Sequence, residues 1–267
     1  MAILTVSREF GSGGREIGQA VAKVLNYTYI DKERLLGDIR ASGKEWEEWG
    51  KNLDEHCPTV WEKYDWSFRG FTALLQSLIL HYALNDRAVI MGRGGNFLLK
   101  DIPYALRIRV VAPIVKRIDR IIKRESVDRD TAQWLIEKTD RERSCMIHLL
   151  YGKHWDDHAE YDMVYDTGDQ TLDEIVNIVK DALLEREKFT TEAARKLLQI
   201  RAIAAKIKAE ILVDHGLFIP TLDVYPEGEN LILRGVIHSP KEHKIIEDKA
   251  KKIAGDIPLK CELHYRK

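Results

Sequence analysis

An apolar strand that runs directly into a glycine-rich turn constrains this chain more than any other feature. Ala2-Ile3-Leu4-Thr5-Val6 has the make-up of a short buried strand. The segment Ser7 to Gly14 carries Gly11, Gly13 and Gly14, and Ile17, Val21, Val24 and Leu25 then recur at helical spacing. Strand, glycine turn and helix together aim backbone N–H groups and a helix N-terminus at one point, which suits an anion. Glycines let the backbone wrap closely, with positive φ where needed. A tight turn without a ligand is the bland alternative, but the position after an N-terminal strand favours a phosphate loop.

The loop departs from the regular nucleotide-binding pattern Gly-x-x-x-x-Gly-Lys-Ser/Thr. With Gly11-Ser12-Gly13 laid on its second half, Gly14 stands where the lysine belongs. Arg15 and Glu16 stand at the hydroxyl positions, and Arg8 replaces the first glycine. The backbone cradle survives this change, but the lysine charge and the metal-binding hydroxyl do not. Arg15 or Arg8 is the candidate for the charge, since guanidinium binds phosphate in a bidentate way. Glu16 or Ser12 is the candidate for reaching a metal. For Arg15, a solvated place in the first helical turn is an equally weighted reading.

The segment Ile3–Gly18 resembles the opening of the cytidylate kinase-like proteins, a branch of the P-loop nucleoside monophosphate kinases. The resemblance continues through Val89–Asn96, Arg107–Pro113, Lys138–Arg143 and Asp162–Thr167, in the family's order. It implies an α/β P-loop NTPase fold of three layers with a parallel sheet, and ATP-dependent phosphorylation of a monophosphate, CMP or dCMP foremost. ATP and Mg²⁺ are the implied cofactors.

Apolar strands alternating with helical patterns are consistent with that fold. Strands are expected at Tyr27–Ile30, Ala88–Met91, Arg107–Val111 and Met163–Asp166. The segment from Lys32 to about Arg69 reads as helical, with Trp46, Trp49, Trp61 and Trp66 as core residues. Helices are expected from Phe71 to Asn85, from Pro113 to Glu125, from Asp130 to Leu150 and from Leu172 to Leu184. In parallel sheets ligands bind at the carboxyl ends of strands, where Arg8, Asp31, Arg93, Pro113 and Asp166 fall.

A second unit is expected after Lys188, dividing the chain at 1–188 and 189–267. A capping signature at Phe189–Ala193 precedes a helix to Val213 whose stripe includes Leu197, Ile200, Ile207 and Ile211. Strands are expected over Leu217–Val224, Leu231–His238 and Leu259–Tyr265, with a helix from Pro240 to Ala254. This small α+β unit, in the order αββαβ, resembles the BON domain. That resemblance implies a protein or phospholipid ligand. The helix stripe leaves room for a homodimer contact.

A formal net charge of −1 gives no overall drive toward nucleic acid, and no nucleic-acid partner is expected. Cys57, Cys145 and Cys261 are odd in number and show no metal spacing, so reduced thiols and a cytoplasmic location are expected. No apolar run is long enough to span a membrane. The histidines show no metal spacing, and His154–His158 reads as a loop packed on the core. No protein-held metal site is expected.

Phosphoryl transfer needs positioned cations more than covalent chemistry. The catalytic candidates are Arg15, Arg93, Arg141 and Arg143. The nucleotide-binding candidates are Arg8, Gly11, Ser12, Gly13, Gly14, Arg15, Glu16, Arg117 and Arg120. The acceptor-binding candidates are Asp31, Arg93 and Asp140. Arg117, Arg120 and Arg124 share one helical face, and a solvated basic stripe is nearly as strong a reading. Arg141 and Arg143 point to different faces, so one of them is expected at the phosphates. Asp166 is expected to order a loop. A second class of function stays open, a nucleotide-binding regulatory protein with a degenerate loop and little activity.

Overall fold

Five parallel strands in the order β2-β3-β1-β4-β5 form the main sheet. They are β1 (Ile3–Arg8), β2 (Thr28–Ile30), β3 (Ala88–Met91), β4 (Ala105–Val111) and β5 (Met163–Asp166). The computed structural model describes residues 1–43, 46–51 and 56–266. Alternation along the strands sends Ile3 and Ile90 to one face and Leu4, Val6, Val89 and Met91 to the other. The second face is covered by α1 (Gly14–Leu25) and α9 (Leu172–Arg186), through Ile17, Val21, Ile175 and Val179. The first face is covered by α5 (Trp66–Leu84), through Phe71, Leu75 and Ile79. Three layers result, as expected for a P-loop fold.

The segment after β2 is more broken than its composition suggests. It forms α2 (Lys32–Ser42), α3 (Glu47–Lys51) and α4 (Val60–Tyr64) before α5 begins. Residues 56–59 are not helical, and Pro58 cannot continue a helix from its N-terminal side. The expected helix also crosses residues 44–45 and 52–55, which lie outside the described residues. Trp46 is fully buried, against Trp66 at 4.9 Å between ring centroids. Trp61 is 86% exposed, so its expected place in the core is corrected.

Short α6 (Gly95–Leu98) follows β3. Helices α7 (Ile114–Glu125) and α8 (Arg129–Tyr151) pack on each other through Ile118, Ile121, Ala132 and Ile136, with Phe10 of the glycine loop against them. Cys57 and Cys145 are disulfide-bonded, with Cα atoms 5.9 Å apart, and Cys261 is free. This corrects the expectation of three reduced thiols. A separation of 88 residues in sequence hid the pairing.

The C-terminal region has the order αββαβ: α10 (Glu192–Leu212), β6 (Thr221–Glu227), β7 (Asn230–Ile237), α11 (Pro240–Ala254) and β8 (Leu259–Tyr265). Strands β6 and β7 are antiparallel. Strand β8 pairs parallel to β7, with α11 as the crossover. Leu217 and Ile219 are buried in an irregular segment rather than in a strand. Helix α10 belongs to two cores. Ala194, Leu198 and Ala202 pack with α5, whereas Ile207 and Ile211 pack with the small sheet and α11.

Candidate active site

The glycine loop closes between β1 and α1 with φ of 80° at Gly11 and 90° at Gly13, a region closed to most side chains. Gly13 is the N-cap of α1, and no side chain caps the helix there. Its orphan N–H groups and the positive end of its dipole therefore suit an anion. The Ser12 hydroxyl is buried without a partner. These features fit a bound phosphate chain.

Neighbouring elements hold the loop in shape. Phe10 N donates to Asp140 Oδ1 at 2.8 Å, and Arg117 Nη1 donates to Asp140 Oδ2 at 2.5 Å and to Phe10 O at 3.3 Å. Glu9 Oε2 accepts from Ala112 N at 3.2 Å and lies 3.6 Å from Arg117 Nε. On the other side Thr167 Oγ1 donates to Ser12 O at 2.7 Å. Arg120 Nη1 donates to that same Thr167 Oγ1 at 2.8 Å and to Gly11 O at 3.2 Å. Asp166 Oδ1 accepts from Gly168 N at 2.7 Å, so it orders the turn after β5.

Two cavities open at the carboxyl edge of the sheet. A cleft of about 750 Å³ is lined by the loop, Arg15, Glu16, Tyr29, Asp31, Arg120, Arg124 and Arg143. A tighter pocket of about 40 Å³ is lined by Ser7, Gly92, Arg93, Asn96, Met146 and Trp155. Arg8 and Arg143 line both. Arg143 Nη1 donates to Arg8 O at 3.0 Å, tying α8 to the end of β1. Arg93 takes φ of 57°, a conformation that costs a non-glycine residue energy and tends to mark functional sites. The Tyr151 hydroxyl donates to Arg93 O at 3.2 Å, and burial pushes that hydroxyl's pKa up.

Behind the pocket lies Arg109, which is 2% exposed. Its guanidinium is 4.3 Å from the Trp155 ring centroid and 5.7 Å from that of Tyr161. It donates to Trp155 O at 2.8 Å and lies 3.8 Å from Glu9 Oε1. Trp155 Nε1 donates to Ser7 Oγ at 3.0 Å, and Tyr161 OH donates to Trp155 O at 2.7 Å. Burial raises the Tyr161 pKa, opposed by Ser7 and Arg109.

A family model described as the cytidylate kinase-like family matches residues 3–169, spanning the loop and every strand of the main sheet. The chain belongs to the cytidylate kinase-like family. It is 26% identical to a cytidylate kinase of Methanocaldococcus jannaschii over 184 residues, 68% of this chain and 97% of that protein. A 97-residue stretch is 32% identical to part of a uronate isomerase of Corynebacterium glutamicum, covering 36% of this chain and only 19% of that protein. A solved structure of an uncharacterised protein from Eubacterium ventriosum superposes with a TM-score of 0.55 at 22% identity, over 68% of this chain and 98% of that one. That likeness speaks for the fold alone. Family membership gives the chain a nucleotide kinase-like role.

Within this family framework the sequence-expected residues divide. Arg8, Gly11, Gly13, Gly14, Arg15, Glu16, Asp31, Arg120 and Arg143 line the large cleft. Arg93 lines the tight pocket. Ser12 lies buried beneath the loop. Asp31 also N-caps α2, accepting from Arg34 N at 3.2 Å. Arg117 and Asp140 line neither cavity and bond to the loop backbone and to each other. Arg141 is exposed and lines neither cavity. The sequence reading missed Glu9, Arg109 and Thr167. An arginine in a strand whose neighbours Ile108 and Val110 are fully buried was the available signal for Arg109.

Proposed function

We propose that this chain transfers the γ-phosphoryl group of ATP to a pyrimidine nucleoside monophosphate, CMP or dCMP foremost. One observation carries the reading. The open cleft at the phosphate loop and the tight pocket at Arg93 meet at Arg8 and Arg143. Two phosphate groups brought together there would share both cations. In the transfer, the bond from Pγ to its bridging oxygen breaks and a bond to an acceptor phosphate oxygen forms. ADP leaves, and the already ionised acceptor oxygen needs no base. The protein's part is positioning and charge neutralisation. The loop N–H groups, Ser12 and Arg120 fit the donor phosphates, Arg93 and Asp31 the acceptor, and Arg143 the transferred group. Mg²⁺ would neutralise phosphate charge when bound, with Glu16 or the buried Ser12 hydroxyl to hold it, directly or through water.

A coupled assay of ADP release over all nucleoside monophosphates tests this. Turnover is expected with CMP or dCMP above the purine monophosphates. ATP binding without turnover on any acceptor would favour the regulatory reading, which rests on Gly14 at the lysine position. Arg93→Ala is expected to cut turnover by about tenfold to a thousandfold while leaving ATP affinity nearly unchanged.

We propose that the sequence units 1–188 and 189–267 share a core through α10 rather than fold apart, and that the second is BON-like and binds a protein or phospholipid. Its αββαβ order and the mixed sheet β6-β7-β8 support this. We place the activity in the cytoplasm on the kinase-like reading alone, where ATP and monophosphates meet, since the Cys57–Cys145 bond removes the support that reduced thiols would lend. Among the described residues no helix is long and apolar enough to cross a membrane.

A further inference from the structure

The side chain that replaces the missing lysine can be located by asking why Gly14 has none. A Cβ built on Gly14 would stand 2.5 Å from Arg8 Cβ and 3.1 Å from Arg8 Cγ, with Val110 Cβ at 3.2 Å on the third side. Contacts that close do not occur between real carbons, so residues 8 and 14 cannot both carry side chains without the strand end shifting. The Arg8 stem already fills the space from which a lysine at position 14 would start. Its guanidinium then runs to Gly92, where a built Cβ would collide with Arg8 Nη1. That turn leads into Arg93. The charge therefore lies between the phosphate loop and the acceptor pocket, and Arg8 lines both cavities.

Arg15 is placed differently. It is exposed on the first turn of α1. Burial raises the Tyr29 pKa, and the Arg8 charge, ahead of that of Arg15, opposes the rise, so both cations reach the β2 side of the cleft and only Arg8 also lines the pocket at Arg93.

We infer that Arg8 performs the lysine's task in this chain, neutralising the donor phosphates at the point of transfer, and that Gly14 is glycine so that the Arg8 stem can pass. The regular motif has a small residue first and a cation later, and here the two have exchanged places. The inference rests on the phosphotransfer reading above.

The test is ATP binding by calorimetry, with melting temperature as a check on folding. Arg8→Ala is expected to weaken ATP binding by about tenfold to a hundredfold, as for loss of one charged hydrogen-bonding group. Arg15→Ala, in the same cleft, should weaken ATP binding clearly less than Arg8→Ala does. Gly14→Lys alone should lose binding or fold poorly, because its stem meets Arg8. The exchange Arg8→Gly with Gly14→Lys restores the regular order and should bind ATP to within about tenfold of the wild type. Wild-type binding with undiminished affinity in Arg8→Ala would overturn the assignment alone. So would a folded exchange variant that binds no ATP, or a loss confined to Arg15→Ala. A wild-type chain that binds no ATP would instead remove the phosphotransfer reading, and this assignment with it.

Discussion

In the five-stranded unit polar side chains go inside, and in the three-stranded unit they stay out. Thr5, Ser7, Ser12, Asn96, Arg109, Arg117, Glu160 and Thr167 are the buried polar and charged side chains among the described residues, and all lie within the family-matched segment. From β6 to β8 the charges pair at the surface instead, as in Arg234–Glu262, Lys260–Glu262 and Lys208–Asp223. Burying a guanidinium is costly unless it is paired and hydrogen-bonded. Arg109 and Arg117 meet that cost with Glu9, Asp140 and backbone carbonyls, and in doing so set the shape of the loop. Exposed pairs contribute little to stability and position nothing. The contrast separates a region whose buried charges shape a loop and two cavities from one organised around its own core.

The severest way to break this comparison is to remove the second region. A chain ending at Lys188 lacks α10, so it uncovers the side of α5 against which Ala194, Leu198 and Ala202 pack. The expected cost is on the order of 5 kcal/mol, comparable with a domain's whole stability. Aggregation on expression or loss of a cooperative melt would show it. A truncated chain that melts within a few degrees of the full length would establish the 188/189 boundary as a true one.

Reduction of the Cys57–Cys145 bond should cost about 2–4 kcal/mol, because it frees a long loop in the unfolded chain. Urea denaturation with and without a thiol reductant reads it. The bond joins the segment before α4 to the arginine-bearing α8, so its effect belongs to the first region alone. Cys57→Ser without added reductant should reproduce the shift.

Next come matched carboxylates. Asp140→Asn leaves Arg117 largely buried with a weakened partner and should cost about 3 kcal/mol. Glu262→Gln should leave the melt nearly unchanged, because its partners Arg234 and Lys260 are solvated. Equal costs at the two positions would remove the distinction drawn between the regions.

The smallest effect is that of pH on the small sheet. Lys260 and then Arg234 hold the Glu262 carboxyl down at about 2. A depressed folded pKa gives a contribution that is present above the ordinary carboxylate range near 4.5 and is lost as pH falls toward 2. Glu262→Gln should flatten that slope slightly, its small effect present at neutral pH and vanishing as pH falls toward 2.

The strands, the glycine loop and the helix after it are local patterns, so Ile3–Gly18 and Val89–Gly95 announced a parallel sheet with Arg8 and Arg93 at its carboxyl edge. Period and turn chemistry act over a few residues, and a sequence displays them directly. Partner choice among side chains is different, because it depends on chain segments far apart. Arg117, Arg120 and Arg124 share one helical stripe, yet Arg117 turns into the loop, Arg120 reaches Thr167, and Arg124 lies over the Phe10 ring at 4.8 Å. Trp46 and Trp61 are the same residue type within one predicted helix, and only one is in the core. Cys57 found Cys145 across 88 residues. By itself the sequence determined the sheet, the glycine loop ahead of its helix and the pool of arginines. The tertiary structure alone decided which of those arginines meet the cavity, because a buried charge stays only where folding delivers its counter-charge.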